Sequence, residues 1–432
     1  MDRSGSMNEI IGLMEKEMLV ALGCTEPIAI AYAASRASKY AGHKNINKVK
    51  LILSGNVIKN AMSVKIPGAG GSGIDLAAAL GALTENPDLE LEVLAGITRE
   101  DVEKAYDMIN NDMVTVELAK TSKKLYIETI VVTDTSEARV IIEDKHTNIT
   151  LVEVDGEKII ENLSEEEKEE TLGFPLNLDI IWEFINSVDI NNLEIVKRSI
   201  SLNEKIGLEG LENDYGLKVG KTLLKQMKNG IFSDDIVNYA MALTAAGSDA
   251  RMAGCEMSVM SNSGSGNQGI TATLPVVGAW RRMDLSEERL IRAVALSNLI
   301  TIYIKLKFGR LSALCGVTIA GTGASCGIAY LMGGDKKAVK ACIQNMLGNV
   351  TGMLCDGAKN GCALKVSTCV NAAMQSAMMA CEGIEIKSTD GIVDMNPEKT
   401  IDNLCSLGNK GTFEADKIIL HIMLQKFSGA KS

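Results

Sequence analysis

Ten cysteines run through this 432-residue chain, and three of them stand in settings that favour a usable thiolate. Cys24 lies in Gly-Cys-Thr-Glu-Pro, Cys315 in Leu-Cys-Gly-Val-Thr, and Cys355 in Cys-Asp-Gly-Ala-Lys. Glycine, proline or an acid beside a cysteine marks an element boundary, and a helix N-terminus stabilises thiolate. Three thiolates gathered onto one iron–sulfur cluster would leave one iron without a protein ligand, and an open iron is a Lewis acid. Cys362 follows Gly361 and shares this type of setting. Cys326, Cys342, Cys369, Cys381 and Cys405 sit in Ala/Gly/Met helical pattern and read as small core hydrophobes, with Cys255 between the two groups. A zinc site would show Cys-x-x-Cys pairs or nearby histidines, yet His43, His146 and His421 are remote in sequence from the cysteine motifs. Ferredoxin spacing is missing too. Spacing alone therefore leaves the metal site open.

A second constellation is Ser261-Asn-Ser-Gly-Ser-Gly-Asn-Gln-Gly269, which runs into an expected helix. Small hydroxyls, amides and free backbone N–H groups ahead of a helix make an anion cradle. It lacks the strand-first spacing of a dinucleotide loop and the Lys-Ser/Thr ending of a P-loop, so a carboxylate suits it better than a phosphate. The loop from Pro67 to Gly73, with Lys59, Asn60 and Lys65 upstream, is a second candidate of the same kind.

The elements that must position these groups follow from apolar spacing. Residues 8–38 have helical periodicity broken at Gly23 and Pro27, which sets Cys24 between two helices. Val49 to Leu53 reads as a short strand, followed by a helical piece, the glycine loop and an Ala-rich helix to about Leu83. Residues 89–97 alternate as a strand, and Thr98 to Asp101 opens a helix with a capping box. Four strand-like runs follow, from Val114, Leu125, Ala138 and Asn148. The acidic run Ser164 to Glu170 reads as a solvated linker. From Leu176 onward helix follows helix. The expected fold class is α+β: a mainly helical catalytic domain built from residues 1–85 and 173–432, with a small β-α-β-β-β-β domain inserted at 86–172.

Composition limits the functions open to the chain. Its formal charge of -11 and its lack of basic runs argue against nucleic acid and anionic membrane as partners. The uncharged stretch from Leu311 to Gly334 is rich in Gly, Thr, Ser and Cys and reads as an interior helix rather than a membrane span. The first residues lack the apolar segment of a signal peptide. Ten cysteines without a secretion signal fit a reducing cytoplasm.

Taken in order, Gly23-Cys-Thr-Glu-Pro27, Lys59-Asn-Ala-Met62 leading to Ile66-Pro-Gly68, Ser263 to Gly269, and Cys355-Asp-Gly-Ala-Lys359 followed by Cys362-Ala-Leu-Lys365 carry a resemblance. The chain resembles the L-cysteine desulfidase family, related to the alpha part of the iron–sulfur L-serine dehydratases, from Met7 nearly to its end. The resemblance implies an oxygen-sensitive [4Fe-4S] cluster held by three cysteines, which fall on Cys24, Cys315 and Cys355. It also implies cleavage of L-cysteine to sulfide, ammonia and pyruvate without pyridoxal phosphate. Cys362 lies only seven residues beyond Cys355, and the chain ends without the tail cysteine of many serine dehydratases. Both departures favour the desulfidase.

On this reading Asn60, Ser263, Ser265, Gly266, Asn267 and Gln268 bind the amino-acid substrate. Lys359 and Lys365 are the expected proton acceptors, with Lys59 and Lys65 also open and Cys362 the substitute if one cysteine ligand is misassigned. A homo-oligomeric enzyme is expected. An iron–sulfur L-serine or L-threonine dehydratase and a noncatalytic iron–sulfur sensor stand as the alternatives.

Overall fold

In the computed structural model residues 3–43, 45–84, 86–162, 175–308 and 314–429 are described. The chain opens with α1 (Arg3–Glu17), β1 (Val20–Leu22), α2 (Thr25–Tyr40) and β2 (Ile46–Leu53). In β2 Val49, Leu51 and Leu53 are fully buried while Lys48 and Lys50 are not, the period of two that one covered face imposes. Each such side chain contributes about 1.5–3 kcal/mol on burial.

After β2 come α3 (Gly55–Ala61), α4 (Ile74–Leu83), α5 (Arg99–Asn110), β3 (Val114–Leu118), β4 (Tyr126–Thr133), β5 (Glu137–Glu143), β6 (Ile149–Val154) and β7 (Glu157–Glu161). The strands form one sheet in the order β3-β2-β4-β5-β6-β7. Only β2 and β3 are parallel, and the crossover between them carries α3, α4 and α5. The covered face, with Val49, Leu51, Ile127, Val131, Val140 and Val152, shares a core with α2 and α4.

Residues 89–97 do not form the expected strand. Pro87 to Glu92 is a 3-10 helix, and Leu91, Val93 and Leu94 turn inward against the core of α2. Pro87 lacks a ladder donor and Glu90 takes a positive φ of 48°, so this stretch cannot stay extended. The 86–172 segment supplies five of the six strands, and β2 comes from upstream of it. The last strand, β7, was not anticipated. The acidic run at 164–170 lies outside the described residues.

The remainder is helical: α6 (Leu178–Ser187), α7 (Glu194–Glu212), α8 (Val219–Lys228), α9 (Ile236–Met252), then the short β8 (Ser258–Met260) and α10 (Gly266–Trp280). It continues through α11 (Glu287–Phe308), α12 (Gly316–Leu331), α13 (Lys336–Asn349), α14 (Cys362–Cys381), α15 (Pro397–Ser406) and α16 (Phe413–Gly429). Helices α10, α11, α13 and α14 surround α12, which is buried from Val317 to Ala329. That enclosure accounts for the uncharged run of sequence around α12. No described helix is long and apolar enough to cross a membrane.

The buried apolar residues form two large cores. One joins α1 to the helices after residue 175, and the other joins the sheet to α2 and α4. Between them lies a small third nucleus of Cys24, Val64 and Met252, with Ala358 and Cys362 packed against it. Cys24 and Cys362 meet at this seam, while Cys315 and Cys355 belong to the helical core beside it.

Candidate active site

A two-stranded ribbon assembles the seam. β1 and β8 pair antiparallel, with Val20 opposite Met260 and Leu22 opposite Ser258. The Ser261 N–H and hydroxyl both donate to the Leu19 carbonyl, at 2.8 and 2.6 Å. The Ser263 N–H donates to the Glu17 carbonyl at 2.8 Å. Gly23, at φ 73°, turns the chain directly after β1, and Pro67 occupies the space a Cβ there would need. Cys24 is thereby the N-cap of α2, with extended φ/ψ of -85° and 135°. The Thr25 hydroxyl donates to the Gly264 carbonyl at 3.0 Å, which ties the N-terminus of α2 to that of α10.

Beneath this junction lies a buried polar group. Cys24 Sγ donates to Glu26 Oε2 at 3.5 Å, and Asn60 Nδ2 donates to Glu26 Oε1 at 2.9 Å. His146 Nε2, from the turn between β5 and β6, is 3.9 Å from the same Oε1, too far for a hydrogen bond. Burial works against ionisation of Glu26, but His146, a backbone N–H and the Thr25 hydroxyl outweigh it and lower the carboxyl to about 2. Burial first, then the Glu26 charge, raises the Cys24 thiol to about 12, with Arg251 opposing them.

The other thiols come from the far end of the chain. Cys315 is the N-cap of α12, and its N–H donates to the Met353 carbonyl at 2.8 Å beside an antiparallel bridge between Leu314 and Leu354. This places Cys315 beside Cys355, close enough for each thiol to act on the other. The Cys315 thiol lowers Cys355 to about 6 against the cost of burial, with help from the Lys59 ammonium. Cys315 itself is pushed well up by the same partnership. Cys362, the first residue of α14, lies between the two ends, within electrostatic reach of both Cys24 and Cys355. The structure thus brings Cys315 to Cys355 and Cys24 to Cys362.

The Ser263–Gln268 loop borders both groups. Ser263 takes a φ of 47° and its hydroxyl donates to Asn262 Oδ1 at 2.9 Å. The Ser265 hydroxyl caps α10 by accepting the Gln268 N–H at 3.4 Å. Gln268 Nε2 donates to the Asn262 carbonyl at 3.0 Å, and its Oε1 faces Gly316, next to Cys315. Asn267 Nδ2 donates to Met252 Sδ at 3.3 Å, leaving its Oδ1 without a partner. Asn60 Oδ1 is likewise buried and unpartnered. Gly266 backs directly onto Arg251.

Lys359 and Lys365 both pair with Asp356, the latter at 2.5 Å. Lys365 also donates to the Leu354 carbonyl at 2.6 Å. Burial would lower Lys365, but the Asp356 carboxylate prevails and raises it, so the ammonium is favoured. The sequence reading did not single out Glu26 as a polar anchor, nor His146 or Arg251. Arg251 carried a usable signal, since it is a cation within Ala245-Ala-Gly-Ser-Asp-Ala-Arg-Met-Ala-Gly254. His146 carried none, because only the fold brings it to Glu26.

The geometry can be set beside known proteins. The model of the serine dehydratase alpha chain family matches residues 88–421. The chain belongs to that family. It is 46% identical over 416 residues to a UPF0597 protein of Clostridium perfringens, covering 96% of this chain and 97% of the relative. A UPF0597 protein of Oleidesulfovibrio alaskensis is 45% identical over 420 residues, with 96% and 97% covered. One of Parabacteroides distasonis is 42% identical over 422 residues, with 97% and 98% covered. Membership in the family supports a lyase-type role. The family match contains Cys315, Cys355 and the Ser263–Gln268 loop, while Cys24 and Asn60 precede it.

Among the described residues no group of three or more His, Cys, Asp or Glu surrounds a single metal-ion position. An iron–sulfur cluster is a larger object that takes one thiolate per ligated iron, so the donor chemistry is the relevant test. Two pairs of thiols linked by the electrostatic reach of Cys362 to Cys355, with Cys355 favoured as thiolate and the Lys59 ammonium acting on it, have the donor chemistry for such a group.

Proposed function

We propose that this protein is an L-cysteine desulfidase, eliminating sulfide from L-cysteine and leaving pyruvate and ammonia. The single observation that carries the reading is that the Cys24–Cys362 and Cys315–Cys355 pairs both border the Ser263–Gln268 loop, with Cys362 within electrostatic reach of Cys355. Cys24, Cys315 and Cys355 are the proposed ligands of a [4Fe-4S] cluster, with Cys362 the reserve. When bound, the cluster supplies an open, sulfur-seeking Lewis-acid iron for the substrate thiol.

The chain's own residues supply the rest. The N–H groups at the start of α10, with Ser263, Ser265, Gly266 and Gln268, orient the substrate carboxylate, while Asn267 and, from the side of α3, Asn60 bind the rest of the amino acid. Of the two lysines we assign Lys359 as the acceptor of the α-proton, because Lys365 is also held by the Leu354 carbonyl. Lys359 must leave Asp356 and be deprotonated to act. His146, with an unpartnered and buried Nε2 beside Glu26, is the rival acceptor. Loss of the α-proton and the β-sulfur gives aminoacrylate, which hydrolyses through its imine to pyruvate and ammonia.

Support for a lyase comes from the family, and support for cysteine over serine comes from the position of Cys362, seven residues beyond Cys355. Anaerobic assay of reconstituted protein with both amino acids tests the choice. Sulfide release from L-cysteine at the higher kcat/KM is expected; equal or better pyruvate production from L-serine would make the protein a dehydratase.

A further inference from the structure

Three buried polar atoms in the neighbourhood of Cys24 have no hydrogen-bond partner: Arg251 Nε, Asn60 Oδ1 and Asn267 Oδ1. Buried polar groups are normally satisfied, so orphans gathered at one place mark where a ligand completes them. Arg251 is the most demanding of the set. Its side chain is only 3% exposed, and among the described residues no carboxylate pairs with it. Its one hydrogen bond is from Nη1 to the sulfur of Met252, at 3.5 Å. A buried cation in this state calls for an anion.

The guanidinium is aimed at the start of α10. A Cβ on Gly266 would stand 2.2 Å from Arg251 Nε, so only glycine leaves room for the fork at that helix end. Helix N–H groups and a guanidinium together suit a carboxylate. The Asn60 amide faces the other way from an ordinary anion site. Its Nδ2 is committed to the Glu26 carboxylate, which can only accept, so its free Oδ1 is an acceptor. Asn267, with Nδ2 on Met252, also presents Oδ1. Arg251 and Asn267 share the Met252 sulfur, and Asn60 shares Glu26 with Cys24, so one cation and two amide oxygens line the same neighbourhood; that set matches a zwitterion and disfavours a phosphate, which would bring acceptors against acceptors.

We propose that Arg251 anchors the carboxylate of a free α-amino acid while Asn60 and Asn267 receive its ammonium group. This deepens the assignment above and rests on it for the location of the substrate. It makes Arg251 the main determinant of selectivity for amino acids over amines and simple acids.

The test is equilibrium binding of L-alanine to the full reconstituted chain by calorimetry. L-Alanine has both charged groups but nothing to eliminate, so binding is read without turnover. Wild type should bind L-alanine at least tenfold more tightly than ethylamine or propionate. R251Q should weaken L-alanine at least thirtyfold and R251K less, with iron content unchanged. G266A should reproduce the loss by pushing the guanidinium aside, which keeps the test open if R251Q misfolds. Wild-type affinity in a folded R251Q or G266A protein, or no binding of L-alanine by wild type, would overturn the proposal. So would loss of iron in R251Q with L-alanine binding intact, which would make Arg251 a partner of Cys24 instead. Should wild type bind L-alanine through Arg251 yet release no sulfide from L-cysteine, the desulfidase assignment fails and the Arg251 assignment stands.

Discussion

Lys59 Nζ stands 2.5 Å from Asp416 Oδ1 and 3.4 Å from the Cys355 carbonyl, so one buried ammonium joins α3, α16 and a proposed cluster ligand. The two side chains are only 2% and 18% exposed. Removing one partner of such a pair typically costs about 3–5 kcal/mol, because the other charge stays buried alone. Asp416→Asn is expected to destabilise the protein by about 3 kcal/mol in urea unfolding. Lys59→Met with Asp416→Leu should lose less than Asp416→Asn by itself. Equal stability of Asp416→Asn and wild type would show that the pair does not fasten α16.

The same ammonium bears on thiol reactivity. In iron-free protein Cys355, lowered to about 6, should alkylate with iodoacetamide at a rate that rises through pH 6 and levels off above pH 7. Cys24 and Cys369, both raised to about 12, should stay unmodified at neutral pH. Lys59→Met should move the Cys355 profile to higher pH. Mass spectrometry of peptides labelled at pH 6.5 checks this; equal labelling of Cys24 and Cys355 would contradict it.

Asp249 gives a prediction on stability alone. It accepts the Gly220 N–H at 3.1 Å at the start of α8, and burial raises its carboxyl to about 6 despite four backbone donors. A carboxyl with a raised folded pKa binds its proton more tightly when folded. Its contribution is therefore fully present below the unfolded value near 4 and is lost as pH rises through 6. Asp249→Asn should be more stable than wild type above pH 7, by up to about 3 kcal/mol less what α8 loses in hydrogen bonding. The advantage should vanish at pH 4. Thermal unfolding at both pH values would expose an error if the gain were the same at each.

The two lysines can be separated kinetically. Lys359→Met should lower kcat at least a hundredfold, the scale of general-base loss, with KM little changed. Lys365→Met should lose less than tenfold. Full activity in Lys359→Met, with loss in His146→Gln, would transfer the role to His146.

Local chemistry made much of this protein legible. Thr98 and Asp101 form the capping box that their spacing implies, each bonding to the other's backbone. The alternation in β4, β5 and β6 placed those strands. Membership of β2 was hidden, since its partners β3 and β4 lie more than sixty residues onward and only tertiary packing selects them. β7 went unread although Asp155-Gly156, both at positive φ, forms the turn that leads into it. At the site, Gly, Pro and Ser flagged the loops around Cys24, Cys315 and Cys355. Which cysteines pair depends on how α2, α12 and α14 meet, and no spacing rule encodes that. Arg251 stands out as a lone cation among small neighbours, whereas His146 reaches Glu26 only because the turn from β5 to β6 lies over α2.

The most direct test of the central claim is anaerobic cluster reconstitution followed by measurement of sulfide released from L-cysteine, in wild type and in Cys24→Ala, Cys315→Ala, Cys355→Ala and Cys342→Ala. Wild type and Cys342→Ala should hold about four irons per chain and release sulfide with equimolar pyruvate. The other three should lose both iron and activity. Sulfide release by an iron-free protein, or a full cluster in Cys24→Ala, would contradict the proposed site.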